Sequence, residues 1–376
     1  MLGRLCIVGL ILCLAGCGGA AVTPPPVLAP ITPPVPSPTV RPATPLLAPS
    51  VSPALTMALS PTPAAPVPSP TVPQATLAPP PSASPSPGPH PTPSSAVATP
   101  TVTLRGGVPA FSHVFIIVLE NKEASEIVSN QAAAYLNQLA AQYGRAANYY
   151  GITHPSLPNY LALTGGDTFG IASDCTSCSV AGNNIAAQLA RAGRSWKAYM
   201  ESMPQPCFTG AIAGEYAKRH DPFMYYDNIR NDPAQCGNVV PLSQLEADLQ
   251  AGTVPDFAWI SPNVCSDMHD CAISTGDAWL QTWVPKIVAS PAWKDNGVLF
   301  ITFDEGKSGA GCCRYAAGGQ VDTVVISPLV RSGFVSQVAY DHYSLLRTVE
   351  QAWGLPLLGK AACDCTSAMS DFFAAP

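Results

Sequence analysis

Three kinds of residue in this chain are placed where they could do chemistry together. One is a hydroxyl: residues 153–160 read THPSLPNY, with Ser156 fenced by Pro155 and Pro158 and with His154 and Asn159 close by. A second is a set of acids and amides that follow apolar runs: Glu120-Asn121 after HVFIIVL (113–119), and Asp304-Glu305-Gly306 after GVLFITF (297–303). The third is SPNVCSDMHDC, with Asn263, Asp267, His269 and Asp270, together with His342 further on. Charged groups gathered at one place are costly to desolvate unless they pair or bind a cation. A divalent metal resolves that cost, and a mixed oxygen and nitrogen set suits Mn, Mg, Ca or Zn better than a soft metal.

A serine hydroxyl is a weak nucleophile until a base or a metal lowers its pKa. An ion held by Glu120, Asn121 and Asp304 could stabilise the Ser156 alkoxide and polarise an incoming phosphoryl oxygen. Asn159 lies one helical turn beyond Ser156, from where its amide could donate to a non-bridging oxygen. Pro155 suits a helix start, where backbone N–H groups attract anions. Each piece also has a plain structural alternative. Ser156 could cap a helix, Glu120 could sit in solvent, and Asp304-Glu305 could form a turn. Asp267 and Asp270 could be loop acids between Cys265 and Cys271, His342 a helix-start residue, and His154 a satisfied loop histidine. Recurrence at the ends of several apolar runs favours a site.

The elements that must position these groups can be read from periodicity. HVFIIVL, DFAWIS (256–261), GVLFITF and VDTVVIS (321–327) are continuous apolar runs, as expected of strands buried on both faces. QAAAYLNQLAAQYG has Tyr135, Leu136, Leu139 and Tyr143 on one helical stripe, with Gly144 as its stop. SQLEADLQAG (243–252) reads as a helix opened by a capping box of Ser243 with Glu246. DAWLQTWVPKIVAS and DHYSLLRTVEQAWG read as two more helices. The alternation predicts an α/β domain with a mainly parallel sheet covered on both faces. Ligands of such sheets bind at the carboxyl ends of the strands, where the acids and amides lie.

The rest of the chain sets the compartment. Residues 1–17 combine Arg4 with the apolar run CIVGLILCLAG, too short to span a bilayer and shaped as a secretory signal. Leu14-Ala15-Gly16-Cys17 resembles a lipobox, which predicts a lipid anchor at Cys17 holding the protein at the cell envelope. Residues 18–104 hold 27 of the 42 prolines, no aromatic residue, no acid and one basic residue, Arg41. Such a segment buries too little apolar area to offset its ordering entropy. A semi-rigid spacer is expected, about 270 Å long when fully extended. Residues 105–376 carry every acid and aromatic, enough for one large domain. Ten of the thirteen cysteines lie there, and close pairs such as Cys175/Cys178, Cys265/Cys271 and Cys363/Cys365 invite disulfides in an exported chain. A net charge of −6 with no basic run gives no support to a nucleic-acid partner, and none is expected. A monomer is expected.

FIIVLEN, GITHPSLPNYLALTGG, ISPNVCSDMHDC and ITFDEG together resemble the bacterial phosphoesterase family of secreted acid phosphatases and phospholipase-C-like enzymes. That family belongs to the alkaline-phosphatase-like superfamily, so the resemblance implies a three-layer αβα sandwich. It covers residues 110–355. Glu120 and Asn121 match the metal-binding pair after the first strand, Ser156 the nucleophile, and Asn159 an amide that contacts phosphate. Asp304 and Glu305 match a late acidic pair that is often Asp-His in two-zinc members, and Glu in that place argues against a standard two-zinc site. Asp267, His269 and His342 fall where relatives put ligands or phosphate-contacting groups, and His154 could contact phosphate too. The implied reaction is phosphoryl transfer through a phosphoserine, with His269 or His342 protonating the leaving alkoxide. The implied substrate is a small phosphorylated molecule, a phosphomonoester before a phospholipase-C-type diester.

Two rival functions are weaker. A serine esterase would need a G-x-S-x-G elbow, which the domain lacks; GKSGAG (306–311) supplies neither that nor a Walker A loop. A non-catalytic solute-binding lipoprotein fits the signal and spacer equally well, but needs no nucleophile among metal-type ligands.

Overall fold

A computed structural model describes residues 103–373. The expected signal peptide, the Cys17 expected to carry a lipid and nearly all of the expected spacer lie outside the described residues. Eight strands form the central sheet: β1 (Val114–Leu119), β2 (Gly144–Tyr150), β3 (Trp196–Met200), β4 (Val239–Pro241), β5 (Phe257–Ser261), β6 (Val298–Phe303), β7 (Gln320–Ile326) and β8 (Phe334–Asp341). Their order is β8-β2-β7-β6-β1-β5-β3-β4. Only β7 runs against the others, antiparallel to both β6 and β2. All remaining pairings are parallel.

The apolar runs explain the centre of this sheet. All six residues of β1 and all six of β6 are buried, and each large side chain so placed stabilises by roughly 1.5–3 kcal/mol. Their register pairs Val114 with Val298 and continues to Leu119 with Phe303. Glu120 and Asp304, the next residue of each strand, therefore emerge side by side on one rim.

Six helices are used below: α1 (Ala134–Gln142), α2 (Ser156–Gly165), α3 (Ile185–Arg191), α4 (Ser243–Ala251), α5 (Ile273–Ala289) and α6 (His342–Trp353). α2 packs on α3 and α6, while α5 packs on α1 and α4, which gives the two helical layers of the predicted sandwich. Among the described residues no helix is long and apolar enough to cross a membrane. The ten cysteines pair as 175–178, 207–236, 265–271, 312–313 and 363–365.

Two sequence expectations change here. Gly144 does not merely stop a helix; it opens β2, in a place where a Cβ would come within 2.9 Å of the Phe372 ring. Ser243 is no cap, because buried Leu242 already has helical geometry ahead of it and makes no side-chain cap. Glu246 turns outward to Lys286 instead, at 2.8 Å. The working capping boxes are Glu123 with Glu126 and Asp341 with Ser344.

Candidate active site

The hydroxyl comes first. Pro155 occupies the N-cap position and Ser156 the first residue of α2, all ten residues of which are buried. Pro158 is tolerated because first-turn N–H groups have no helical partner. The helix ends at Gly166 in the left-handed region, φ 71°, and a side chain at Gly165 would run into the Tyr226 hydroxyl at 2.6 Å. Thr-Gly-Gly thus stops α2 under the loop that carries Phe169. Ser156 is 2 % exposed, and its Oγ donates to Glu120 Oε2 at 3.0 Å.

Around that contact the rim acids converge. The Glu120 N–H donates to the Asp267 carbonyl at 2.8 Å, and the Asp304 N–H to the Leu119 carbonyl at 3.0 Å. The Asn121 N–H donates to Asp304 Oδ1 at 3.1 Å. Turned with its nitrogen inward, the Asn121 side-chain amide donates to Glu120 Oε2 at 3.2 Å and to Asp304 Oδ1 at 3.1 Å. Tyr160, one turn along α2, donates to Glu120 Oε1. Lys122 ties two of the rim loops together by donating to the Met268 carbonyl at 2.6 Å.

His220, absent from the sequence reading, completes the cluster. It is 2 % exposed, with Nε2 3.3 Å from Glu120 Oε1 and Nδ1 3.1 Å from Asp267 Oδ2. Its ring stacks on Tyr160 at 5.5 Å. No long apolar run precedes it; it sits in a one-turn segment, Lys218–His220, after the two-residue strand Tyr216–Ala217. The one signal available was a histidine flanked by Lys218-Arg219 and Asp221-Pro222.

Burial dominates the electrostatics. Burial, then the Asp304 and Asp267 charges, push Glu120 well above the usual carboxylate range. Burial lifts Asp267 and Asp304 each to about 7, and burial with the Asp304 charge lifts Glu305 to about 9. Burial also drives His220 well below the ordinary imidazole value, so the ring is neutral. A neutral imidazole has one N–H and one lone pair. It can donate to Glu120 or to Asp267, and its other nitrogen then faces a carboxylate oxygen lone pair to lone pair. Neither His220 nitrogen, nor Asp267 Oδ2 or Asp304 Oδ2, has a hydrogen-bond partner among the described residues. A proton or a cation between such atoms removes the repulsion, and Glu120, His220 and Asp267 can all offer a ligand atom to one ion. The residues present fit a divalent cation. Glu120 lies at the seam between this triad and the oxygen set of Asn121, Asp304 and Ser156.

Three residues take positions other than those expected. Asn159 is fully buried, but its Oδ1 accepts the Ile152 and Thr153 N–H groups at 2.7 and 3.1 Å. Its Nδ2 donates to the Thr153 and Pro155 carbonyls at 2.7 and 3.2 Å. The amide expected to meet phosphate holds the loop that carries His154 and also reaches Glu305 Oε2 at 3.4 Å. His342 is fully buried between the Tyr149 hydroxyl, 3.1 Å from Nδ1, and the Asp304 carbonyl at Nε2. Burial lowers it to about 4, which favours the neutral ring, and both nitrogens are engaged. His154 pairs with Glu305 through Nδ1 at 2.7 Å and meets the Ser308 carbonyl through Nε2 at 3.0 Å. His269 stays at the mouth: Asp270 takes its Nδ1 at 2.6 Å, and its ring lies 6.1 Å from that of His220.

Glu123 braces the far side, accepting the N–H groups of Lys307 and Ser308 at 2.7 and 3.1 Å and that of Gln320 at 3.0 Å.

The Phosphoesterase family model matches residues 115–356 of this chain. The chain belongs to the Phosphoesterase family. Its curated relatives include a phosphatidylinositol-3-phosphatase of Mycobacterium tuberculosis, 34 % identical over 68 % of this chain and 81 % of that protein. A probable acid phosphatase of Kluyveromyces lactis is 30 % identical over 67 % of this chain, a match that spans 60 % of the yeast protein. A solved structure of an alkaline phosphatase superfamily protein from Vibrio parahaemolyticus aligns with 70 % of this chain at 12 % identity, with a TM-score of 0.49. As a Phosphoesterase family member the chain is a hydrolase acting on phosphoric esters.

Proposed function

We propose that this protein is an exported, metal-dependent phosphomonoesterase that works through a phosphoserine at Ser156. The observation that carries the reading is the buried Ser156 hydroxyl on Glu120, inside a cluster of acids with one neutral histidine. On this reading residues 1–17 are a lipoprotein signal, 18–104 a spacer and 105–376 the catalytic domain. Five disulfides in the domain support export.

Glu120, His220 and Asp267, with Asn121 and Asp304, would hold the cation. When bound, it supplies positive charge that favours the serine alkoxide and polarises a phosphoryl oxygen. Ser156 Oγ attacks phosphorus as its proton passes to Glu120 Oε2. The bond from phosphorus to the leaving oxygen breaks, and His269 Nε2 gives that oxygen a proton, with Asp270 fixing the ring through Nδ1. Water then attacks the phosphoserine and returns a proton to His269, phosphate leaves, and Glu120 gives Ser156 its proton back. Asn159 and His342 act on geometry: one holds the 152–155 loop, the other the carbonyl of Asp304.

The test is turnover of p-nitrophenyl phosphate, with and without EDTA, by the wild type and Ser156→Ala. Turnover that survives both treatments ends the proposal. The relative named as a phosphatidylinositol-3-phosphatase puts phosphoinositides in the substrate panel. Turnover confined to bis-p-nitrophenyl phosphate and phospholipids would move the assignment to a phospholipase-C-like diesterase.

A further inference from the structure

Asp174 stands beside the nucleophile and has no part in the chemistry above. Its Oδ1 accepts the Leu157 N–H at 2.9 Å, the amide one residue beyond Ser156. Its Oδ2 lies 3.8 Å from Arg219 Nε, and Arg219 directly precedes His220. The Asp174 charge acts on both Glu305 and His220, so the carboxylate faces the same cluster. Its loop is held in place by the Cys175–Cys178 bridge and by Lys218 Nζ, which donates to the Thr176 carbonyl at 3.1 Å.

A first-turn amide and a guanidinium are the partners an oxyanion of phosphate takes. Here a carboxylate of the chain itself holds both, next to the attacking hydroxyl. The neighbouring cluster, where both His220 nitrogens and Asp304 Oδ2 lack hydrogen-bond partners among the described residues, is the one proposed to hold the cation, whose positive charge would draw a phosphoryl group to this place. Asp174 and Arg219 are less enclosed, their side chains 32 % and 23 % exposed, so the carboxylate has room to leave. Two anions cannot share one amide and one guanidinium in a site already crowded with acids.

We propose that Asp174 is a built-in competitor for the substrate's phosphoryl group. Substrate displaces it from Leu157 and Arg219, and Arg219 then anchors the phosphoryl oxygens. The inference rests on the Ser156 phosphoesterase reading and adds two residues that set affinity.

The experiment uses the metal-loaded full chain with inorganic phosphate as the probe, titrated calorimetrically, beside p-nitrophenyl phosphate kinetics. In Asp174→Ala and in the near-isosteric Asp174→Asn, phosphate binds about tenfold more tightly and KM falls in step, because a charge-assisted contact no longer has to be broken. In Arg219→Ala, phosphate binds about tenfold more weakly and KM rises. Unchanged or weakened phosphate affinity in both Asp174 variants overturns the proposal, as does unchanged affinity in Arg219→Ala. A drop in melting temperature and kcat without tighter phosphate binding overturns it as well and makes Asp174 a helix cap. A wild type that binds phosphate but turns over no monoester ends the monoesterase reading, while the calorimetric comparison still decides the role of Asp174.

Discussion

Ser156 and Glu120, 36 residues apart in the chain, meet at 3.0 Å with the hydroxyl donating to the carboxylate. The proposed nucleophile is thereby held by a residue that also reaches His220 and Tyr160. Replacing Ser156 with Ala removes one hydroxyl and little volume, so the fold is expected to persist. Turnover should fall by roughly three orders of magnitude or more. Acid-quenched wild type should carry phosphate on Ser156 by mass spectrometry, and the variant none.

On the proposed metal-dependent reading, removing the cation should loosen the protein as well as silence it. With EDTA the neutral His220 ring again faces carboxylates on both sides, and the melting temperature should drop. Adding a divalent ion back should restore it. Glu120→Gln should bind less metal by elemental analysis, and its melting temperature should respond less to EDTA than that of the wild type.

His269 and His342 should separate cleanly. His269→Ala should slow p-nitrophenyl phosphate little, since that leaving group needs little protonation. Alkyl phosphates should slow by about 100-fold or more. His342→Gln should slow both substrates by a similar factor, because its ring supports the Asp304 carbonyl rather than a leaving group. A leaving-group dependence in His342→Gln would reverse the assignment.

Asn159→Ala should destabilise the protein. It leaves the Ile152 and Thr153 N–H groups without their acceptor, at a cost of about 1–3 kcal/mol for a buried donor. Urea unfolding measures the loss, and kcat should fall with it as the His154 loop shifts.

Glu350 gives a pH dependence away from the site. Burial pushes its carboxyl up to about 9, against the Leu358 N–H that Oε1 accepts at 2.9 Å. The folded chain therefore holds a proton that the unfolded chain has released. That stability is fully present below the ordinary carboxylate value of 4.5 and is lost as pH rises toward about 9. Urea unfolding at pH 5 and pH 9 should show the decline, and Glu350→Gln should flatten it.

The sheet centre was legible because strands buried on both faces are continuous apolar runs, and the rim acids were legible because they follow those runs. The outer strands were not. β8 leaves Val335 and Val338 exposed and mixes in Ser336 and Gln337, while β2 alternates irregularly as GRAANYY. The reversal of β7 has no composition of its own. Within the site, spacing placed Asn159 one turn from Ser156, and the start of the last long helix put His342 on the same rim as Asp304. Neither could say that their polar atoms were already engaged, those of Asn159 mainly by backbone and those of His342 by the Asp304 carbonyl and the Tyr149 hydroxyl. His220 escaped because it is delivered by a short irregular segment and not by a strand end.

That reversal of β7 has an engineering consequence. A parallel successor to β6 would have to leave the rim and return through a crossover on the opposite side. The antiparallel one comes straight back, so residues 304–319 form a single excursion that starts and ends on the rim that carries Glu120 and Asp304. Glu123 grips both of its ends, at Lys307–Ser308 and at Gln320. Its tip, which includes Cys312–Cys313, can be shortened, grafted or lengthened without re-threading the sheet. It is the natural place to reprogram what this scaffold hydrolyses.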